Sequence, residues 1–176
     1  GKFRLKGKKL TNPVAVGDRV RIELEENGEF GSIKQIDDRK NYVIRQSPRK
    51  KHFLHIIASN IDLALLIVTI KEPNLKQGFI DRFLLMTEPY NIPVYILFNK
   101  ADIYSEDDKA LFDYLQDIYH NIGYECLLVS AESGEGLDQV KEIIQGKTSL
   151  FAGQSGVGKS SIINQLAPNL TLRTKD

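Results

Sequence analysis

Apolar positions change their spacing near residue 60. Between Arg19 and Leu24 polar and apolar residues alternate, which puts Val20, Ile22 and Leu24 on one face of a strand. Asn27-Gly28 follows as a tight hairpin turn, and further strands are expected over 29–36 and 41–45. Asn12-Pro13 and Gly17-Asp18 add turn signals, so the first segment reads as a small barrel of short strands. The polar, basic stretch Gln46–His52 contains Pro48, and it places a linker at 49–57. Beyond it, 61–70 is almost continuously apolar and β-branched, as expected of a strand buried on both faces of a parallel sheet. Helices are predicted over 78–90, from an N-cap at Ser105 toward Gly123, over 137–144 and from Lys159 to Leu166. Strands are predicted over 93–98, 126–129 and 149–152. Strands alternating with helices over 58–176 predict an α/β domain, preceded by the barrel segment at 1–48.

Composition sharpens this division. Net charge over the 176 residues is only +1, yet residues 1–52 hold 14 Lys/Arg against 7 Asp/Glu, and the rest hold 10 against 16. A basic module on an acidic body suggests different partners for the two parts. No apolar run reaches the roughly 18 residues needed to span a bilayer, so no membrane partner is expected. The single cysteine, Cys126, fits a reducing, cytoplasmic setting and reads as a core residue.

Three loops carry candidate chemistry. Gly153-Gln154-Ser155-Gly156-Val157-Gly158-Lys159-Ser160 fits the phosphate loop G-x-x-x-x-G-K-[ST], between a predicted strand and a predicted helix. Its glycines let several N–H groups turn inward, and the helix N-terminus adds positive potential. Lys159 is expected on the β- and γ-phosphates, the Ser160 hydroxyl on Mg²⁺ and Ser161 near the α-phosphate. Asn99-Lys100-Ala101-Asp102 follows another strand. A carboxylate at Asp102 can accept from guanine N1–H and from the 2-amino group. Adenine offers neither donor and would leave the charge unpaired and buried. Asn99 is expected to brace the loop and the Lys100 stem to lie over the base. After a third strand, Ser130-Ala131-Glu132 would supply the Ala131 N–H to guanine O6. All three loops then fall on the carboxyl edge of one sheet, where such folds bind ligands.

These motifs resemble those of translation-factor-class GTPases, but in permuted order, with Asn99–Asp102 first and the phosphate loop last. With the loop GQSGVGKSS, the strand VGDRVRIE and a preceding barrel, the whole chain resembles the RsgA/YjeQ family of circularly permuted GTPases. The resemblance implies a partial OB-fold at 1–48 and a permuted GTPase domain at 58–176. It implies GTP as ligand, hydrolysed to GDP and phosphate, with Mg²⁺, during late maturation of the small ribosomal subunit. rRNA contacts are expected from Lys2, Arg4, Lys6, Lys8, Lys9, Arg49, Lys50 and Lys51, in a monomer. Phe3, Phe30 and Tyr42 are candidate stacking aromatics, although barrel core is the plainer reading for most of them.

The sequence departs from the family pattern at two places. No Asp-x-x-Gly follows the phosphate loop, and Cys126, His52, His55 and His120 do not form a zinc-ligand spacing. The family's switch regions and zinc-binding C-terminal domain are therefore expected outside these residues. With no water-positioning group in view, weak turnover is expected. Rival readings are a non-enzymatic RNA-binding module with a vestigial site, an ATP-using P-loop enzyme, and a permuted GTPase of large-subunit assembly. Intact Lys159, Ser160 and Asp102 speak against the first, and Asp102 against the second.

Overall fold

The computed structural model describes residues 12–25, 28, 30–46 and 54–167. The chain divides into two compact units, with the boundary between Ile61 and Asp62.

In the first unit, β1 (Val20–Leu24) and β2 (Gly31–Ile36) form an antiparallel ribbon, as do β3 (Tyr42–Gln46) and β4 (Leu54–Ser59). Gly28, at φ +71°, donates its N–H to the Glu25 carbonyl (2.8 Å) and so closes the turn between β1 and β2. β4 corrects the linker expected at 49–57. From Leu54 onward the chain is a strand, because His55, Ile56 and their neighbours pair in register with β3. Asn12 ties down the same strand, its amide exchanging two hydrogen bonds with the Ile56 backbone (2.8 and 3.0 Å). Gly17 cannot carry a side chain. It sits at φ +92°, and a Cβ there would lie 2.0 Å from the Ser59 carbonyl oxygen.

Beside it, Asp18 and Arg39 form a bidentate pair (2.6 Å for each bond), with side chains only 1% and 7% exposed. The Ser59 hydroxyl (2.5 Å) and the Ala15 N–H (2.8 Å) also donate to Asp18. Burial alone would raise the Asp18 pKa. The bonds from Arg39, Ser59 and Ala15 outweigh it and hold the carboxyl at about 2. The expected apolar face of β1 is not covered: Ile22 and Leu24 are 58% and 62% exposed. Phe30, one of the candidate stacking aromatics, is also exposed.

In the second unit a four-stranded parallel sheet forms from β5 (Leu63–Val68), β6 (Val94–Phe98), β7 (Glu125–Leu128) and β8 (Ser149–Gly153). Its spatial order is β7-β6-β5-β8. Every residue of β5 is buried, as a central strand covered on both faces requires. Between the strands lie α1 (Gln77–Thr87), α2 (Glu106–Asn121) and α3 (Leu137–Ile144), and α4 (Lys159–Leu166) follows β8. The helix expected over 78–90 ends at Thr87, and a 3-10 turn, Glu88–Tyr90, continues it. Pro89 within that turn has no N–H with which to extend the helix.

One face of the sheet packs Leu63, Leu65, Ile67 and Leu97 against Leu137, Val140 and Ile162 of α3 and α4. Phe98 meets the Phe112 ring of α2 edge-on, with centroids 5.2 Å apart. Helix α2 starts where expected. Ser105 and Asp108 form a reciprocal capping box, and the Asp108 carboxylate also pairs with Lys71 (2.9 Å).

Candidate nucleotide-binding site

Three loops leave the carboxyl ends of β8, β6 and β7, and one buried side chain joins them. Asn99 follows β6 and is 1% exposed. Its amide nitrogen donates to the Val157 carbonyl in the phosphate loop (2.8 Å). Its amide oxygen accepts the Ala131 N–H from the loop after β7 (3.1 Å). Residues 58 and 32 positions away in sequence are thus held by the two ends of one planar group.

The phosphate loop is shaped by glycines that only glycine can replace. Gly153 ends β8 at φ +154°, and a Cβ there would lie 2.4 Å from the Ile67 carbonyl oxygen. Gly158 is the N-cap of α4 at φ +89°, and its Cβ would lie 2.2 Å from the Asn99 amide nitrogen. Gly156 takes φ +85° between them. The Val157 side chain is 2% exposed and belongs to the core beneath the loop. Lys159 begins α4 and bends back to donate its Nζ to the Gln154 carbonyl (2.5 Å). Burial lowers its pKa, because leaving water disfavours the charged ammonium. Ser160 and Ser161 follow in the first turn of α4 and are half-buried, while Ser155 is exposed at the loop tip.

The second loop turns through Ala101–Ile103, a 3-10 turn entered by Lys100 in the left-handed region at φ +70°. The Ala101 N–H is held by the Val129 carbonyl (3.0 Å). Asp102 is exposed rather than buried, and its Oδ1 accepts the Ser130 hydroxyl at 2.5 Å. Ser130 itself is fully buried, and its oxygen also accepts the N–H groups of Glu132 (3.2 Å) and Ser133 (3.1 Å). One hydroxyl therefore both shapes the third loop and aims the carboxylate. Lys100 donates its Nζ to the Glu72 carbonyl (2.5 Å) in the segment after β5. The Ala131 N–H expected to be free for a base is already given to Asn99, so any base contact there is a shared one. The eight basic residues named as rRNA contacts, with Phe3, lie outside the described residues.

Sequence reasoning missed two residues at this edge. The buried Tyr104 hydroxyl accepts the Ile70 N–H (2.8 Å) and donates to the Asn99 carbonyl (2.7 Å). Burial pushes its pKa up to about 12, so it keeps its proton. Gln165, on α4, donates to the Ala131 carbonyl (3.1 Å). Neither lies in a motif, and a Tyr two residues beyond Asp102 looks like any apolar position of a helix start. Among the described residues no group of three His, Cys, Asp or Glu could hold a metal ion, and no helix is long and apolar enough to cross a membrane.

A G-x-x-x-x-G-K-S loop beside the central strand of a parallel sheet, with the Asn99–Asp102 and Ser130–Glu132 loops preceding it in the chain, is the arrangement of a circularly permuted P-loop domain. Residues 36–176 match the RsgA GTPase family, and the chain belongs to that family. It is 49% identical over 176 residues to the small ribosomal subunit biogenesis GTPase RsgA of Bacteroides fragilis, covering all of this chain and 56% of the relative. It is 48% identical over 179 residues to the protein of the same name from Flavobacterium psychrophilum, covering 99% of this chain and 54% of the relative. The chain spans about half the length of the curated relatives it matches.

Among solved structures it resembles YjeQ from Thermotoga maritima (TM-score 0.75, 37% identity, 99% of this chain and 57% of that one). It also resembles YloQ, described as a circularly permuted GTPase (TM-score 0.65, 32% identity, 94% and 55%).

Proposed function

We propose that this chain is the nucleotide-binding part of a cytoplasmic GTPase that hydrolyses GTP to GDP and phosphate and acts in late maturation of the small ribosomal subunit. The observation that carries it is the Asn99 clamp, which fastens the phosphate loop and the base-reading loops into one site. The names of its relatives supply the ribosomal role.

The chemistry follows from charge. Phosphoryl transfer to water spreads negative charge over the γ-phosphate oxygens, and the protein contributes position and positive potential. Loop N–H groups from Gly153 to Ser161 and the N-terminus of α4 face the phosphates. Lys159 exchanges the Gln154 carbonyl for β- and γ-phosphate oxygens. A phosphate anion there offsets the burial that lowers the Lys159 pKa. The half-buried Ser160 hydroxyl, one residue beyond Lys159, fits a single ligand position on Mg²⁺, which neutralises phosphate charge when bound. Asp102, aimed by Ser130, accepts from guanine N1–H and the 2-amino group, and Lys100 and Ala131 border the base. The 1–48 segment is a partial OB-fold that meets rRNA through its basic residues, and the protein acts as a monomer.

Calorimetric titration with GDP and with ADP, each with Mg²⁺, tests this reading. GDP binding without ADP binding supports it. Equal binding of both rejects the role of Asp102 and points to an adenine nucleotide. Binding of neither rejects the assembled site.

A further inference from the structure

We infer that Tyr104 is a positioning residue for guanine recognition: its hydroxyl locks the Asn99–Lys100 peptide in the orientation that lets Asp102 meet the base. This rests on the guanine-binding reading above.

The argument starts from backbone strain. Lys100 occupies the left-handed region at φ +70°, where a residue with a Cβ is disfavoured. Something must hold the peptide that precedes it. The Asn99 N–H fixes the peptide before it, Phe98–Asn99, by donating to the Val68 carbonyl (2.8 Å), and the Asn99–Lys100 peptide is held through its own carbonyl. That carbonyl accepts the Tyr104 hydroxyl at 2.7 Å.

The same hydroxyl accepts the Ile70 N–H at 2.8 Å, so it is anchored to the segment just after β5. The Tyr104 N–H closes the turn from the other side by donating to the Ala101 carbonyl (3.1 Å). Asp102 lies inside the Ala101–Tyr104 turn that this second bond closes. Tyr104 is 7% exposed and its hydroxyl is committed to Ile70 and Asn99, so it acts through Asn99 and Asp102. Two neighbouring bonds complete the brace. Lys100 reaches the Glu72 carbonyl, and the Thr69 hydroxyl donates to the Pro73 carbonyl (2.7 Å), so the segment after β5 is itself held.

A positioning role predicts a change in selectivity as well as in stability. Inosine diphosphate keeps the N1–H and O6 of guanine but lacks the 2-amino group. The ratio of GDP to inosine diphosphate affinity therefore reports on the 2-amino part of the Asp102 contact. Tyr104→Phe in the 176-residue chain should weaken GDP binding about tenfold, with a smaller effect on inosine diphosphate, so the ratio narrows. Tyr119→Phe is the control. It also deletes a buried tyrosine hydroxyl, one that donates to Asp81 (2.9 Å) between α2 and α1, and it should leave the ratio unchanged.

In the unsubstituted chain, hydrogen exchange at the Ile70 amide should slow when GDP binds and stay the same with ADP. That readout applies even if Tyr104→Phe does not fold. If the unsubstituted chain binds GDP and ADP alike, the guanine reading itself fails. If it prefers GDP, an unchanged ratio in Tyr104→Phe, an equal narrowing in Tyr119→Phe, or Ile70 exchange indifferent to GDP each overturns the role of Tyr104.

Discussion

Asn99→Ala is the substitution that tests the architecture of the site most directly. It removes the donor to the Val157 carbonyl and the acceptor of the Ala131 N–H together. A buried polar group left without its partner costs about 1–3 kcal/mol. Val157 is 2% exposed, so its carbonyl pays most of that penalty, whereas the half-buried Ala131 recovers part of its own from water. The expected loss for the second unit is therefore about 2–4 kcal/mol.

Asn99→Asp separates the clamp from simple loss of volume. It keeps an acceptor for Ala131 but sets a carboxylate oxygen against the Val157 carbonyl, in a position 1% exposed. Its loss should equal or exceed that of Asn99→Ala. The assay is equilibrium urea unfolding followed by far-ultraviolet circular dichroism, since the chain has no tryptophan to report by fluorescence. GDP titration on the same samples follows the site. A loss under about 1 kcal/mol for Asn99→Ala, or an Asp variant more stable than the Ala variant, would refute the clamp.

Gly158→Ala should weaken GDP binding at least tenfold in calorimetry, because its Cβ would displace the Asn99 amide 2.2 Å away and strain φ +89°. Lys159→Ala should abolish measurable binding of GTP while leaving the urea midpoint nearly unchanged, since Lys159 bonds only a carbonyl within its own loop among the contacts described. Asp102→Asn should shift preference from GDP toward xanthosine diphosphate in competition titrations, as an amide can donate where xanthine carries a carbonyl. Asp18, held at about 2 against 3.8 in the unfolded chain, stabilises the first unit fully above pH 3.8. That contribution falls away as pH drops through about 2, and Asp18→Asn should flatten this acid limb of the unfolding curve followed by circular dichroism.

Local chemistry alone specified much of this protein. The glycines at 153, 156 and 158 could be read from a spacing, because a loop that points N–H groups inward needs left-handed residues at those points. The Ser105 cap and helices α3 and α4 were equally legible, since capping and periodicity act within a few residues. The strand at Leu54–Ser59 was not, because its reason lies in pairing with Tyr42–Gln46 rather than in its own pattern. Nor was the engagement of the Ala131 N–H by Asn99, or the exposure of Asp102, since both depend on which loops the sheet order brings side by side. Tyr104 marks the limit most clearly. Its hydroxyl matters because Ile70 lies beside it, 34 residues earlier in the chain, and only the packed sheet brings the two together.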